Sequence, residues 1–223
     1  MKVSLSVDES GWLQLPQLSG EGPAARWEDG VVERMRGAWQ GALDAGSEAL
    51  VREALRNGLR QVSENDSVTL QYWPTASIAN AVVRVSASEF TPEDARLELP
   101  LADIRYAAQP ISSLFETEAL GIGVESRYLT PVDDDSSMLL AGVNYLFEND
   151  FGYVAIGVEP TVPWLVGLML EPLRDVVRSI QVVGDTAGQW TRCTGPEVEL
   201  PARGEDWSFE SAGPGQSPAE ARL

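Results

Sequence analysis

The chain has 223 residues, 43% of them hydrophobic and seven of them Trp, which suits one domain of roughly 180 residues with a tail. A formal net charge of -18 sets it against nucleic acid, whose phosphates need clustered Lys and Arg, and fits a basic protein partner or solubility in a salty cytoplasm. There is no His, Lys2 is the only lysine and Cys193 the only cysteine; this removes imidazole acid–base catalysis, His-ligated zinc, Ser-His-Asp triads, Walker-type and Schiff-base lysines and any intramolecular disulfide.

The opening MKVSLSVDESG has no apolar signal region, and Val3, Leu5 and Val7 alternate with polar neighbours, which predicts a strand with one wet face. Trp12, Leu13 and Leu15 predict a second short strand, stopped at Pro16; QLSGEGP is a turn-rich connector. From Pro23 to about Ala42 the period changes. Trp27, Val31, Met35, Ala38 and Ala42 form a helical stripe, with Pro23 in its first turn. Gly46 breaks the chain, and Ser47 is expected to cap a second helix whose apolar face is Leu50, Val51, Ala54, Leu55, Leu59 and Val62. The short connection predicts an αα-hairpin. Arg52, Arg56 and Arg60 recur along this second helix as a basic stripe able to grip a carboxylate or phosphate. Pairing with Glu48, Glu53 and Glu64 on a wet face is the favoured reading.

Strands follow. SVTLQYW ends at Pro74 and IANAVVRVSASEF at Phe90, while TPEDARLELPLADI is ambiguous. ISSLFETEAL and GIGVESRYL alternate as strands, and SMLLAGVNYLF and YVAIGVE flank the hairpin signal ENDFG. Glu116, Glu118 and Glu125 lie on these strands and could in principle work as a glycosidase pair, but sequence gives no separation between them. Gly121 and Gly123 resemble part of a phosphate loop, without the helix or lysine that would complete one. Asp133, Asp134 and Asp135 could bind Ca²⁺ or Mg²⁺. Consecutive carboxylates do not converge as the alternate positions of a calcium loop do, so a solvated turn is favoured and no metal or cofactor is expected.

Residues 159–183, EPTVPWLVGLMLEPLRDVVRSIQVV, hold the longest apolar run, too short for the ~18 residues of a membrane span. On a helical wheel Val162, Leu165, Val166, Met169, Leu173, Val176, Val177 and Ile180 share one side, the stripe of a helix lying on a sheet. Arg174, Arg178, Glu171 and Asp175 take the other. Thr161 is expected to cap the start, Pro172 to kink or divide the helix, and IQVV to form a closing strand. Trp164 and Leu168 fall on the polar side. Either they touch another part of this chain or they form an exposed apolar patch of the kind that marks interfaces.

An early strand, helices, an antiparallel meander and a closing helix and strand make up an order that resembles the PsbP-like and Ran-release-factor-like α+β group. It also resembles actinobacterial proteins from type VII secretion neighbourhoods, whose proline, apolar helix and brief strand are matched by Pro172, Leu173, Val176, Val177, Ile180 and Val182. The resemblance spans residues 1–183, implies a binding or assembly role and assigns no functional residue; the segment after 184 departs from it.

The expectation is therefore a single α+β domain over 1–183, a mainly antiparallel twisted sheet with an αα-hairpin and a C-terminal helix packed on it, the helices on one face. An acidic Pro/Gly-rich extension over 184–223 is expected to dock in part, with about the last dozen residues disordered. The expected function is a non-enzymatic, cytoplasmic interaction protein, accessory or chaperone-like, that binds another protein, a basic one being the kind its charge suits, through Trp164, Leu168, Asp133, Asp134 and Asp135, with no nucleic acid and no membrane span. An acidic immunity protein against a basic toxin, and a small-ligand binder or carboxylate hydrolase, stay open as alternatives.

Overall fold

A computed structural model describes residues 1–18, 21–39, 43–74, 77–89, 105–133 and 138–195. The readings made above on TPEDARLELPLADI, Asp134, Asp135 and residues 196–223 fall outside these. In chain order the elements are strands β1 (Lys2–Ser4) and β2 (Trp12–Leu15), helices α1 (Glu21–Ala38) and α2 (Ala45–Gln61), and strands β3 (Val68–Tyr72) and β4 (Ala81–Glu89). Two hairpins follow, β5 (Ile111–Thr117) with β6 (Gly121–Pro131), and β7 (Leu139–Glu148) with β8 (Gly152–Val158). Helix α3 (Pro163–Ser179), β9 (Gln181–Val183) and β10 (Cys193–Thr194) complete the described chain. The fold is α+β. No helix among the described residues is long and apolar enough to cross a membrane.

The main sheet runs β10-β6-β7-β8-β4-β3-β2, with β5 also on β6. Its pairs are antiparallel except β10 with β6. Because side chains alternate across a strand, the registers fix what each face carries. Leu70 opposes Val83, Val85 opposes Ile156, and Tyr145 opposes both Ile156 and Glu125, so all of these share one face. Helix α3 lies there, burying Leu165, Val166, Met169, Leu173, Val176 and Val177 in the same core as Leu70, Val83, Tyr145 and Phe147. The β1–β9 ribbon closes beside it, and Val3, Leu5 and Val7 turn toward that core.

The αα-hairpin takes the other face. Gln71, on the alternate side of β3 from Leu70, donates to the Ala54 carbonyl of α2 at 3.1 Å, and Gly58 lets α2 settle on Leu15 and Gln71. The expectation that the helices share one face is thus corrected. The sheet is apolar on both sides at β2 and β3, where Leu13 and Trp73 join Val31, Val32, Val51 and Leu55 in a second, smaller core.

Local chemistry revises several ends. Helix α1 stops at Ala38, short of the expected Ala42. Asp44, not Ser47, caps α2, its carboxylate accepting from the Ser47 N–H at 2.7 Å. Leu50, assigned to the apolar face, is 50% exposed, because the seam runs through Val51, Leu55 and Gly58. Thr161 makes no cap: it bridges to Ala141, and α3 begins with Pro163 in its first turn. The helix passes through Pro172 undivided, since the missing N–H removes one intrahelical bond while six buried apolar side chains hold both halves to the sheet. In the ENDFG turn, Asn149 Oδ1 accepts from the Phe151 and Gly152 N–H groups at 2.9 and 3.0 Å, an Asx-type turn.

Beyond β9 the chain stays on the core as far as Gly195. Trp190 packs against it, Cys193 is buried, and Asn149 Nδ2 donates to the Thr191 carbonyl at 2.5 Å. Gly121 has φ of 91°, and a Cβ there would lie 2.4 Å from Cys193 N and O. Only glycine lets β10 sit against the start of β6.

Candidate functional site

Most of the sequence candidates for chemistry are engaged in structure. The basic stripe of α2 reaches across to α1. Glu28, 5% exposed, accepts from Arg52 Nη1 at 2.8 Å and from Arg56 Nε and Nη2 at 2.7 and 2.9 Å. Burial alone would raise the Glu28 carboxyl, but the bonds from Arg56 and Arg52 outweigh it and hold it below its ordinary value. Arg52 also meets Asp29 and Glu48, and Arg60 turns to Asn57. The expected partners Glu53 and Glu64 give way to Glu28 and Asp29 of the facing helix, and burial of Glu28 between the helices strengthens its bonds.

Glu125 is 1% exposed beneath α3 and accepts both arms of Arg174, Nε at 2.8 Å and Nη2 at 2.7 Å. Arg174, read as a solvent-facing residue, is therefore an anchor from helix to sheet, its long stem letting a charge at the stripe's edge reach inward. Tyr145 lies beside this pair with its hydroxyl unpartnered; burial, then the charge of Glu125, pushes its phenol up. Glu116 projects from the opposite face and meets Arg192 at 3.2 Å, while Glu118 sits exposed in the turn. These three carboxylates do not converge.

The remaining motifs are also packing features. Gly123 gives room to Leu146 O and the Phe147 ring, where a Cβ would come within 2.5 and 2.6 Å. Asp133 is exposed in the β6–β7 connection, whose base is closed by the Val132 N–H donating to Met138 O at 3.2 Å. Among the described residues no group of three or more His, Cys, Asp or Glu is placed to hold a metal ion.

What the structure does bring together lies along one row of α3. Trp164, Leu168, Pro172, Asp175 and Ser179 are spaced by three or four residues and share a flank of the helix. The two candidate contact residues at its head differ. Trp164 is half-buried against the main core, while Leu168 is 55% exposed. Further along the row, Pro172, Asp175 and Ser179 form one wall of a cleft of about 440 Å³. Its other wall is the β1–β2 connection, with Asp8 and Ser10. Its aromatic part is Trp12 and Tyr72, a cross-strand pair with ring centroids 4.9 Å apart; Trp73 follows them in the wall with its side chain packed in the second core.

The two walls are tied together at Ser6 and Ser179. The Ser179 hydroxyl accepts from the Ser6 N–H at 2.9 Å and has the Ser6 and Val176 carbonyls in reach as acceptors, at 3.1 and 2.7 Å. Asp8 accepts from the Ser10 N–H at 2.9 Å and from its hydroxyl at 2.8 Å, and these bonds, the backbone one first, hold its carboxyl below the ordinary value. At the other end of α3, the bridge between Ala141 and Thr161 sets the β6–β7 hairpin, with its exposed Val132 and Met138, near the helix start.

Sequence reasoning named Trp164, Leu168 and Asp133, none of which lines the cleft, and did not group Asp8, Trp12, Tyr72, Asp175 and Ser179. The row from Trp164 to Ser179 was visible in the spacing. The opposing wall is contributed from more than a hundred residues upstream, and no local pattern marks it. The fold and the cleft define an α+β domain with an acidic, aromatic groove beside its last helix. No protein-family model, curated protein or solved structure matches the chain.

Proposed function

We propose that this protein is a non-enzymatic, cytoplasmic interaction factor, accessory or chaperone-like, that receives a segment of a partner protein along the flank of α3. The supporting observation is the continuity of that flank. An apolar side chain 55% exposed, Leu168, leads within one turn, about 6 Å, into the aromatic cleft. The buried acids Glu28 and Glu125 are each tied to arginines, which suits a scaffold better than a proton-transfer site. The resemblance to secretion-neighbourhood proteins would make the partner an exported protein. The charge of -18 favours, as second reading, immunity to a basic toxin.

Photo-crosslinking in the host tests this. A photoreactive residue at Leu168 is expected to give a discrete adduct that is absent when it is placed at Leu50 or Ile78, which are 50% and 47% exposed elsewhere. Mass spectrometry of the adduct separates an exported protein from a basic toxin. No adduct at Leu168, or the same adducts at all three positions, would remove the reading.

A further inference from the structure

We propose that the cleft between α3 and the β1–β2 connection is a receptor for an arginine side chain of the partner segment, an assignment that rests on the partner reading above. The size comes first. About 440 Å³ lies near the low end of small-ligand sites and admits one long side chain with adjoining backbone.

The lining sets the chemistry. Asp8 and Asp175 stand on the two opposing walls, and among the described residues no Lys or Arg lines the cleft, so a cation is wanted. Tyr72, half-buried, and Trp12, 5% exposed, supply the aromatic surface between them. A planar guanidinium stacks on such surface while its N–H groups reach carboxylates at its edge; an ammonium does only the second. Asp8 is already oriented by Ser10 and held ionised. Asp175 already carries a guanidinium, that of Arg178 at 2.8 Å, in an exposed pair of neighbours three apart. Such pairs are weak and exchange readily, so an incoming arginine shares or displaces Arg178 at small cost.

One further group points to a peptide rather than a free cation. Pro172, in the cleft wall, has no N–H, which leaves the Leu168 carbonyl without its helical donor and able to accept from a peptide N–H.

The test is a titration of the full chain, followed by the amide and indole N–H resonances, with N-acetyl-arginine N-methylamide and, separately, its uncharged citrulline and its lysine counterparts. Saturable shifts are expected at Trp12, Trp73, Asp8 and Asp175. Binding should weaken about tenfold for citrulline and by less for lysine. Asp175→Asn, on an exposed helix position, should weaken it about three- to tenfold without unfolding the chain. Equal shifts from the arginine and citrulline compounds, or shifts spread over the acidic surface and indifferent to Asp175→Asn, overturn the assignment. If those controls fail while Leu168 still crosslinks, the partner reading survives and the arginine assignment falls. If the arginine compound saturates the cleft but Leu168 yields no adduct, the site serves a free guanidinium compound and the peptide source is wrong.

Discussion

Glu125 shows at the scale of one residue what a buried charge demands. Only 1% exposed, it is stable as a carboxylate because Arg174 meets it with two charge-assisted bonds. Arg174→Ala would leave the acid uncompensated and should cost about 3 kcal/mol, the low end for breaking a buried pair because Arg127 Nε also lies 3.6 Å away. Replacing both partners by Leu and Met should be close to neutral; urea unfolding of the single and double variants separates the two outcomes. Glu28 makes a pH statement. Its folded carboxyl lies below the ordinary 4.5, so its contribution is present above that value and is lost as pH falls through the folded one. Glu28→Gln should therefore flatten the acid limb of stability below about pH 4.5, read from urea midpoints across pH.

At the scale of elements, docking depends on a few contact points that no periodicity displays. Strand β10 rests on Gly121, where positive φ and a 2.4 Å approach of Cys193 leave no room for a Cβ. Gly121→Ala should cost about 2 kcal/mol or more and loosen β10. The readout is Cys193, whose thiol burial pushes up to about 12 and shields from reagents. A thiol-specific dye should react slowly with the native chain and many-fold faster with the variant, and equal rates would show that β10 is held otherwise. Pro172 is the converse case, a residue that local rules set against the helix but that packing retains. Pro172→Ala should restore the intrahelical bond to Leu168 and raise stability by about 1–3 kcal/mol, measured by thermal unfolding, unless the cleft wall shifts with it.

For the whole molecule, a formal charge of -18 sets the balance between self-repulsion and attraction to cations. Raising NaCl from about 0.05 to 0.5 M shortens the screening length from above 10 Å to a few ångströms, so the chain should become more stable while its affinity for a basic peptide falls. Circular dichroism melts and peptide titrations at the same salts should move in opposite directions. If both fall together, the charge is not the shared cause. The two-sided layering acts at this scale too. With α3 and the β1–β9 ribbon on one face and the αα-hairpin on the other, the cleft opens where the two coverings leave the β2–β3 end of the sheet.

The sequence by itself determined the α+β class, the strands and hairpins, and the buried stripe of α3 from Leu165 to Ile180, because a period of two or of 3.6 in apolar residues is a local property that survives any arrangement of the elements. It also separated Leu168 from the core stripe. Only the tertiary structure decided that the helices lie on opposite faces, that Arg174 turns inward to Glu125 and the α2 arginines to Glu28, and that Asp8, Trp12 and Tyr72 meet Asp175 across a cleft. Those outcomes depend on which residue, far away in the chain, a side chain finds opposite it, and strand register and helix docking set that through the burial energy of the whole core rather than through any neighbour in sequence.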